Sequence, residues 1–87
     1  MDAFEALADP TRRRILEMLF ERELAAGEIA RRFDMTPPAV SQHLKILRNA
    51  NLVRVRNDAQ RRMYALEPNG LAELDAWLNR YRHFFTP

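Results

Sequence analysis

Residues 36–53 read TPPAVSQHLKILRNANLV, a helix start, body and stop compressed into one short stretch. Thr36 suits the N-cap, and Pro37 fits the first helical position, where its missing N–H is not needed. At 100° per residue, Val40, Leu44 and Leu47 fall within ~40° of one another. Pro38, Ser41, Gln42, Lys45 and Asn49 gather on the opposite side, with His43 and Ile46 between the two faces. Asn51 stands where a left-handed residue ends the helix, and asparagine is the best substitute for glycine there. The expected product is a helix with an apolar back, a front of small hydrogen-bonding groups and an abrupt end.

Downstream the period changes from 3.6 to 2. LVRVRN sets Val53 and Val55 inward and Arg54 and Arg56 outward, NDAQ is turn-like, and RRMYAL returns, so residues 52–66 are predicted to form a hairpin. Pro68 opens a last helix expected to reach about Phe85, striped by Leu71, Leu74, Leu78, Tyr81 and Phe85 and widened by Trp77 and Phe84.

Upstream, Asp2 to Ala8 is a brief amphipathic piece carrying Phe4 and Leu7. ADPTRRRILEMLF then offers Asp9 as N-cap and Pro10 at the first helical position, with Ile15, Leu16, Leu19 and Phe20 as the buried stripe. A third helix, about Gly27 to Phe33, should bury Ile29, Ala30 and Phe33, although Ala25 and Ala26 provide no side-chain cap. Four helices, a hairpin and a helix, with a tight FDMTP turn between the third and fourth helices, make a winged helix-turn-helix. The fold class is thus mainly α with one β-hairpin, a single domain over residues 1–87.

Bulk properties narrow the function. A chain of 87 residues buries only ~60–65% of its unfolded surface, so its core is marginal unless something extends it. Its 47% hydrophobic content is too high for a disordered chain. No apolar run approaches the ~18 residues of a membrane span, so no membrane partner is expected, and the charged first twenty residues do not resemble a signal peptide. Without cysteine there is no disulfide framework or thiolate metal site. The default location is the cytoplasm. The net charge is only +2, yet residues 31–62 hold eight basic side chains against two acids, Asp34 and Asp58. A basic middle between acidic ends suits a polyanion-facing surface.

A helix that enters the major groove needs one face anchored in its domain and small polar groups on the other to reach base edges. Ser41 and Gln42, with Pro38 beside them, are the candidate base readers. Lys45 and Arg48 suit phosphates, Thr36 a phosphate at the helix start, and His43 either boundary packing or a phosphate contact. From the hairpin, Arg54, Arg56, Arg61 and Arg62 are candidates for backbone or minor-groove contact. Arg12 and Arg13 begin a helix, an unfavourable end for cations, where acidic partners within the protein or phosphate would explain them.

The segments ALADPTRRRILEML, GEIARRFDMTPPAVSQHLKILRNANLV and RRMYAL together resemble the ArsR-type bacterial repressors along nearly the whole chain. The tail LAELDAWLNRYRHFF is similar to the metal-independent, autorepressor-like (SdpR-like) subgroup. The resemblance implies a homodimer paired through its terminal helices, an inverted-repeat operator in double-stranded DNA, and blocked transcription. Metal-sensing members hold two cysteines in a Glu-Leu-Cys-Val-Cys-Asp-Leu stretch; here it is ELAAGEI, with Ala25 and Gly27 at those positions. Other members need Asp-x-His in the last helix, and here Asp75 is followed by Trp77. His83 has no second ligand at metal spacing. No metal and no cofactor are therefore expected. Asn51 replaces the usual glycine after the reading helix, and Gln60 the usual glycine of the wing turn.

An apolar stripe wider than one small domain can bury points to a second copy. One face of the last helix should cover the chain's own second helix. Phe4, Leu7, Leu74, Trp77, Leu78, Tyr81, Phe84 and Phe85 are the expected dimer contacts. No Gly-rich phosphate loop or catalytic triad can be assembled, so an enzyme is not expected. The rival is a winged helix used as a protein-interaction module or antirepressor, with weak, sequence-blind DNA binding.

Overall fold

The structure is a computed structural model that describes residues 2–87. Along the chain run α1 (Ala3–Leu7), α2 (Pro10–Glu21), β1 (Leu24–Ala25), α3 (Ala26–Arg31), α4 (Pro37–Asn49), β2 (Val53–Asp58), β3 (Arg61–Leu66), α5 (Pro68–Asn79) and α6 (Arg82–Phe85). This is the expected winged helix-turn-helix, with two differences. The hairpin gains a third strand, and the last helix is broken. β1 pairs antiparallel with β3, Leu24 opposite Tyr64 and Ala25 opposite Met63, giving the order β1-β3-β2. Two residues are too few to show alternation, so sequence reading missed this strand.

The ADPTRR stretch folds by satisfying two helix ends at once. Asp9 accepts the Arg12 N–H (3.0 Å) and caps α2. Arg12 then turns back, donating Nε to the Ala6 carbonyl (2.6 Å) and Nη2 to that of Glu5 (3.1 Å), while Arg13 donates to the Leu7 carbonyl (2.6 Å). These are carbonyls of the last turn of α1, of which Glu5 also accepts the Ala8 N–H. The hydrogen bonds of Arg12 and Arg13 thus go chiefly to backbone oxygens of α1 rather than to acidic side chains.

The core joins Ile15, Leu16 and Leu19 of α2 to Leu24, Ile29, Val40, Leu44, Leu47, Leu52, Val53 and Tyr64. Truncating one of the fully buried leucines, such as Leu44, to alanine would cost ~2–5 kcal/mol. The end of α4 is a Schellman motif: Leu52 N–H donates to the Leu47 carbonyl (3.0 Å) and Asn51 N–H to that of Arg48 (3.1 Å), with Asn51 at φ 59° as expected. The start of α5 presses onto this stop. Gly70 N–H donates to the Asn51 carbonyl (2.9 Å), and a Cβ on Gly70 would lie 2.7 Å from the carbonyl oxygens of both Ala50 and Asn51. Only glycine lets α5 begin so close to α4.

Four expectations are corrected. Phe20 is 80% exposed instead of lying in the buried stripe. It projects well to the side of the Ile15/Leu16/Leu19 face at 100° per residue, and the chain turns extended at Arg22 with nothing to cover it. α3 ends at Arg31, leaving Phe33 in the following turn. Its start, without a side-chain cap from Ala25, is held from the other direction: the Glu28 carboxylate accepts the Ala25 N–H (3.0 Å). The last helix stops at Asn79, and Tyr81 N–H donates to the Leu78 carbonyl (2.9 Å) in a tightened turn before α6. The Asn79 side chain accepts from Arg82 Nε (3.1 Å) across that break. Finally, the principal helical neighbour of α5 is α1 and not α2.

Candidate nucleic-acid interface

The register of the hairpin sorts its arginines onto two faces. Residues directly opposite in an antiparallel pair share a side. Val53/Leu66, Val55/Tyr64 and Asn57/Arg62 therefore lie on one face, and Arg54/Ala65, Arg56/Met63 and Asp58/Arg61 on the other. The first face turns toward α4. There a groove of about 360 Å³ is lined by Ser41, Gln42, Leu44, Lys45, Arg48, Asn49, Arg62 and Tyr64. Arg62 lies over the Tyr64 ring, 5.9 Å from its centroid, which orients the guanidinium along the groove.

Behind this front α4 is firmly seated. Val40, Leu44 and Leu47 are buried, while Ser41, Gln42, Lys45, Arg48 and Asn49 are exposed. Thr36 caps the helix by accepting the Ala39 N–H (3.3 Å), and it and Pro38 stand exposed at the first turn. Pro37 and Pro38 bring no N–H, and those of Ala39 and Val40 are both taken by Thr36, so the helix start offers an anion its positive dipole end and the Thr36 hydroxyl rather than free backbone donors.

His43 turns the other way. Its Nδ1 is 3.4 Å from Arg12 Nη1 and 4.0 Å from Asp9 Oδ2, so it packs α4 onto the start of α2. The Asp9 carboxyl is held below the usual carboxylate range by the Arg12 backbone N–H, reinforced by the Arg12 and His43 side chains. Of the two roles expected for His43, this geometry favours packing.

The structure therefore brings together Ser41, Gln42, Lys45, Arg48 and Arg62. It sets Arg54, Arg56 and Arg61 on the opposite face of the hairpin, where Arg56 is paired with Glu23 and Arg61 with Glu28. Asn49 and Tyr64 belong to the groove as well. Asn49 was visible on the polar face of the helix, whereas Tyr64 follows only from strand register.

A second exposed surface is apolar. Phe4 meets Trp77 edge-on at 5.4 Å, and Trp77 meets Tyr81 at 4.8 Å, forming a ladder across α1 and α5. Phe4 and Trp77 are 42% and 44% exposed, and Leu71, Leu78, Tyr81, Phe84 and Phe85 are also open to solvent. Leu7 and Leu74 lie deeper, packed against the core at the base of this patch. In α1 the fully buried positions are Ala3 and Ala6, and the aromatic ring points out.

Residues 9–55 match the family model described as bacterial regulatory protein, arsR family. The chain belongs to the ArsR family. Such proteins are DNA-binding transcriptional regulators, not enzymes. An ArsR-family relative, the HTH-type transcriptional regulator Rv2034 of Mycobacterium tuberculosis, is 52% identical over 79 residues, covering 91% of this chain and 74% of that protein. The transcriptional repressor SdpR of Bacillus subtilis is 35% identical over 77 residues, covering 88% and 86%. Among solved structures, an ArsR family transcriptional regulator, RHA00566, superposes with a TM-score of 0.86 at 31% identity, over 95% of this chain and 86% of that one. The chain is similar both to relatives named as repressors and to one named as an activator. Among the described residues, no helix is long and apolar enough to cross a membrane.

Proposed function

We propose that this ArsR-family regulator is a cytoplasmic repressor that binds an inverted-repeat operator as a homodimer, with no metal switch. One observation carries the reading. Ser41, Gln42, Lys45, Arg48 and Arg62 converge on a single groove between α4 and β3, while the back of α4 is buried. Gln42 supplies the bidentate donor–acceptor pair that reads adenine, and Lys45, Arg48 and Arg62 supply cations for the flanking phosphates.

The dimer reading rests on the apolar ladder of Phe4, Trp77 and Tyr81, extended by Leu78, Phe84 and Phe85. Residues 1–87 then act as one reading unit whose first and last helices join two copies. Two-fold pairing of this surface would fix the spacing of the two reading helices, about one DNA turn apart. The metal-independent reading rests on the side chains themselves. Ala25, Gly27 and Trp77, at the two sensor positions, offer no metal donor, which favours the autorepressor-like subgroup.

The test is a fluorescence-anisotropy titration against duplexes selected from a randomised pool and against random DNA, over a range of salt. A selected palindrome bound at least ~10³-fold more tightly than random DNA is the expected result. Stoichiometric zinc, cadmium or arsenite should leave that affinity unchanged. Weak binding that ignores sequence would favour the protein-interaction module, and a metal titration that releases the DNA would overturn the metal-independent reading. Transcription in vitro from a promoter carrying the palindrome should fall when the protein is added; a rise would make it an activator.

A further inference from the structure

The outer face of the hairpin is the unexpected part of this molecule. Glu23 holds Arg56 through two hydrogen bonds, 2.5 and 3.0 Å, in a fork-to-fork pair. Glu28 holds Arg61 at 2.8 Å, lies 3.6 Å from Arg22, and accepts the Ala25 N–H at the start of α3. The two glutamates bracket β1, one just before it and one in the first turn of α3. Arg56 and Arg61 belong to the basic segment that gives the chain its polyanion-facing character, yet in the free protein each already has an anion. Both carboxyls are held below their usual range, Glu23 by the Arg56 hydrogen bond and Glu28 first by the Ala25 N–H and then by the surrounding arginines. Both are therefore ionised at neutral pH.

Resting on the DNA-binding reading above, we infer that Glu23 and Glu28 are specificity-determining positioning residues. They occupy Arg56 and Arg61 in the free protein, so that the outer hairpin exchanges carboxylate for phosphate only when base contacts from α4 hold the protein in register. A carboxylate presents two oxygens to a guanidinium much as a phosphate does. The exchange is therefore cheap for an exposed pair once DNA is held in place. Before that point the pair removes two cations from the long-range attraction that drives non-specific binding. A regulator must find one site among a vast excess of random DNA, so lowering random affinity raises the useful ratio even if operator affinity is unchanged.

Glutamine at these positions separates charge from geometry. Glu28→Gln keeps an oxygen for the Ala25 N–H, as in the Gln form of a capping box, and Glu23→Gln keeps an acceptor for Arg56. Binding of each variant to random duplex DNA and to the tightest duplex selected by the wild type is measured between 50 and 200 mM salt. On random DNA, each variant should steepen the log–log salt slope by about 0.9 per protomer, so that affinity falls roughly 3.5-fold further over that range. The slope on the selected duplex should stay unchanged, so the gain for random DNA at low salt narrows the specificity ratio. In an Arg61→Ala background, Glu28→Gln should no longer steepen the slope on random DNA, which traces the single-variant effect to the Arg61 cation and not to a role in folding, since stability alone moves no salt slope. Unchanged slopes in both glutamine variants, or equal steepening on both DNAs, would overturn the inference while leaving base reading by α4 intact. Failure of the wild type to select any sequence would instead sink the DNA-reading proposal, and this inference with it.

Discussion

The front of α4 and the outer side of α5 are both exposed, and they are opposite kinds of surface. The α4 front is polar and cationic, and its rigidity comes from behind: three buried side chains, an N-cap and a Schellman stop hold the helix. The α5 side is aromatic and aliphatic, and its helix has only one buried position, Gly70, with Leu74 partly covered. A polar front on a buried back is complete as it stands, needing only a hydrated partner. An apolar outer face on a thinly supported helix is the kind of surface that a second apolar surface would complete. The two meet where Gly70 presses onto the end of α4, and α1 packs against both helices.

The strongest way to break this contrast is at Trp77. If the α5 side is the dimer surface, the indole becomes a central buried anchor, and Trp77→Ala should cost about 2–4 kcal/mol of association free energy. That weakens the dimer roughly thirtyfold or more. Sedimentation at micromolar concentration should show the wild type as a dimer and the variant shifted to monomer, with operator binding lost in step. A wild type that sediments as a folded monomer would remove the dimer and the palindrome with it.

Gln42→Ala attacks the other surface alone. It should cost ~1–3 kcal/mol on the selected operator and relax preference at one or two base positions. Sedimentation should not change, because Gln42 is far from the apolar ladder in character and in support. If operator and random DNA weaken equally, Gln42 does not read a base.

How much of this could be seen in advance depended on how far each signal reached. The α4 elements were all local: cap, proline, 3.6-residue stripe and left-handed Asn51 lie within one stretch and were read correctly. The base-reading candidates sit on that same stretch, and the structure groups them. Elements that depend on distant partners were not legible. Phe20 continues an apolar run, but nothing in the sequence reveals that the chain leaves α2 extended just beyond it. β1 exists only because β3 lies beside it. The split of the hairpin arginines follows from strand register, and their glutamate partners are 33 residues away along the chain. Arg12 and Arg13 looked like misplaced cations on α2 because the helix they serve is α1.

A smaller effect is expected behind the α4 front, where Asp9 caps α2 beside His43 of α4. Asp9→Ala should cost about 1 kcal/mol of stability at neutral pH. The folded carboxyl titrates below its unfolded value, so its contribution is complete above the unfolded pKa and disappears as pH falls through the folded one. Urea unfolding at pH 7 and pH 3 should show the gap between wild type and Asp9→Ala closing in acid. A gap equally large at both would mean that the carboxylate charge contributes nothing to the cap.

The smallest effect belongs to the tip of the wing, and its sign is more informative than its size. The turn between β2 and β3 is Ala59–Gln60, and the left-handed residue is Ala59, at φ 58°. The sequence had directed attention to Gln60, where glycine is usual in the family, but Gln60 has no positive φ. A non-glycine residue in the left-handed region is strained by about 1–2 kcal/mol. Glycine removes that strain but enlarges the conformational freedom lost on folding, an opposing effect of roughly 0.4–1 kcal/mol. Ala59→Gly should therefore stabilise the protein by about 0.5 kcal/mol. Gln60→Gly gains nothing from the turn and suffers only the entropic loss, so it should destabilise by a similar amount. Thermal unfolding of the two variants should bracket the wild type, with dimer association and base preference unchanged because neither residue is a base reader or a proposed dimer contact. If Gln60→Gly is the stabilising substitution instead, the strained position is Gln60 and not Ala59.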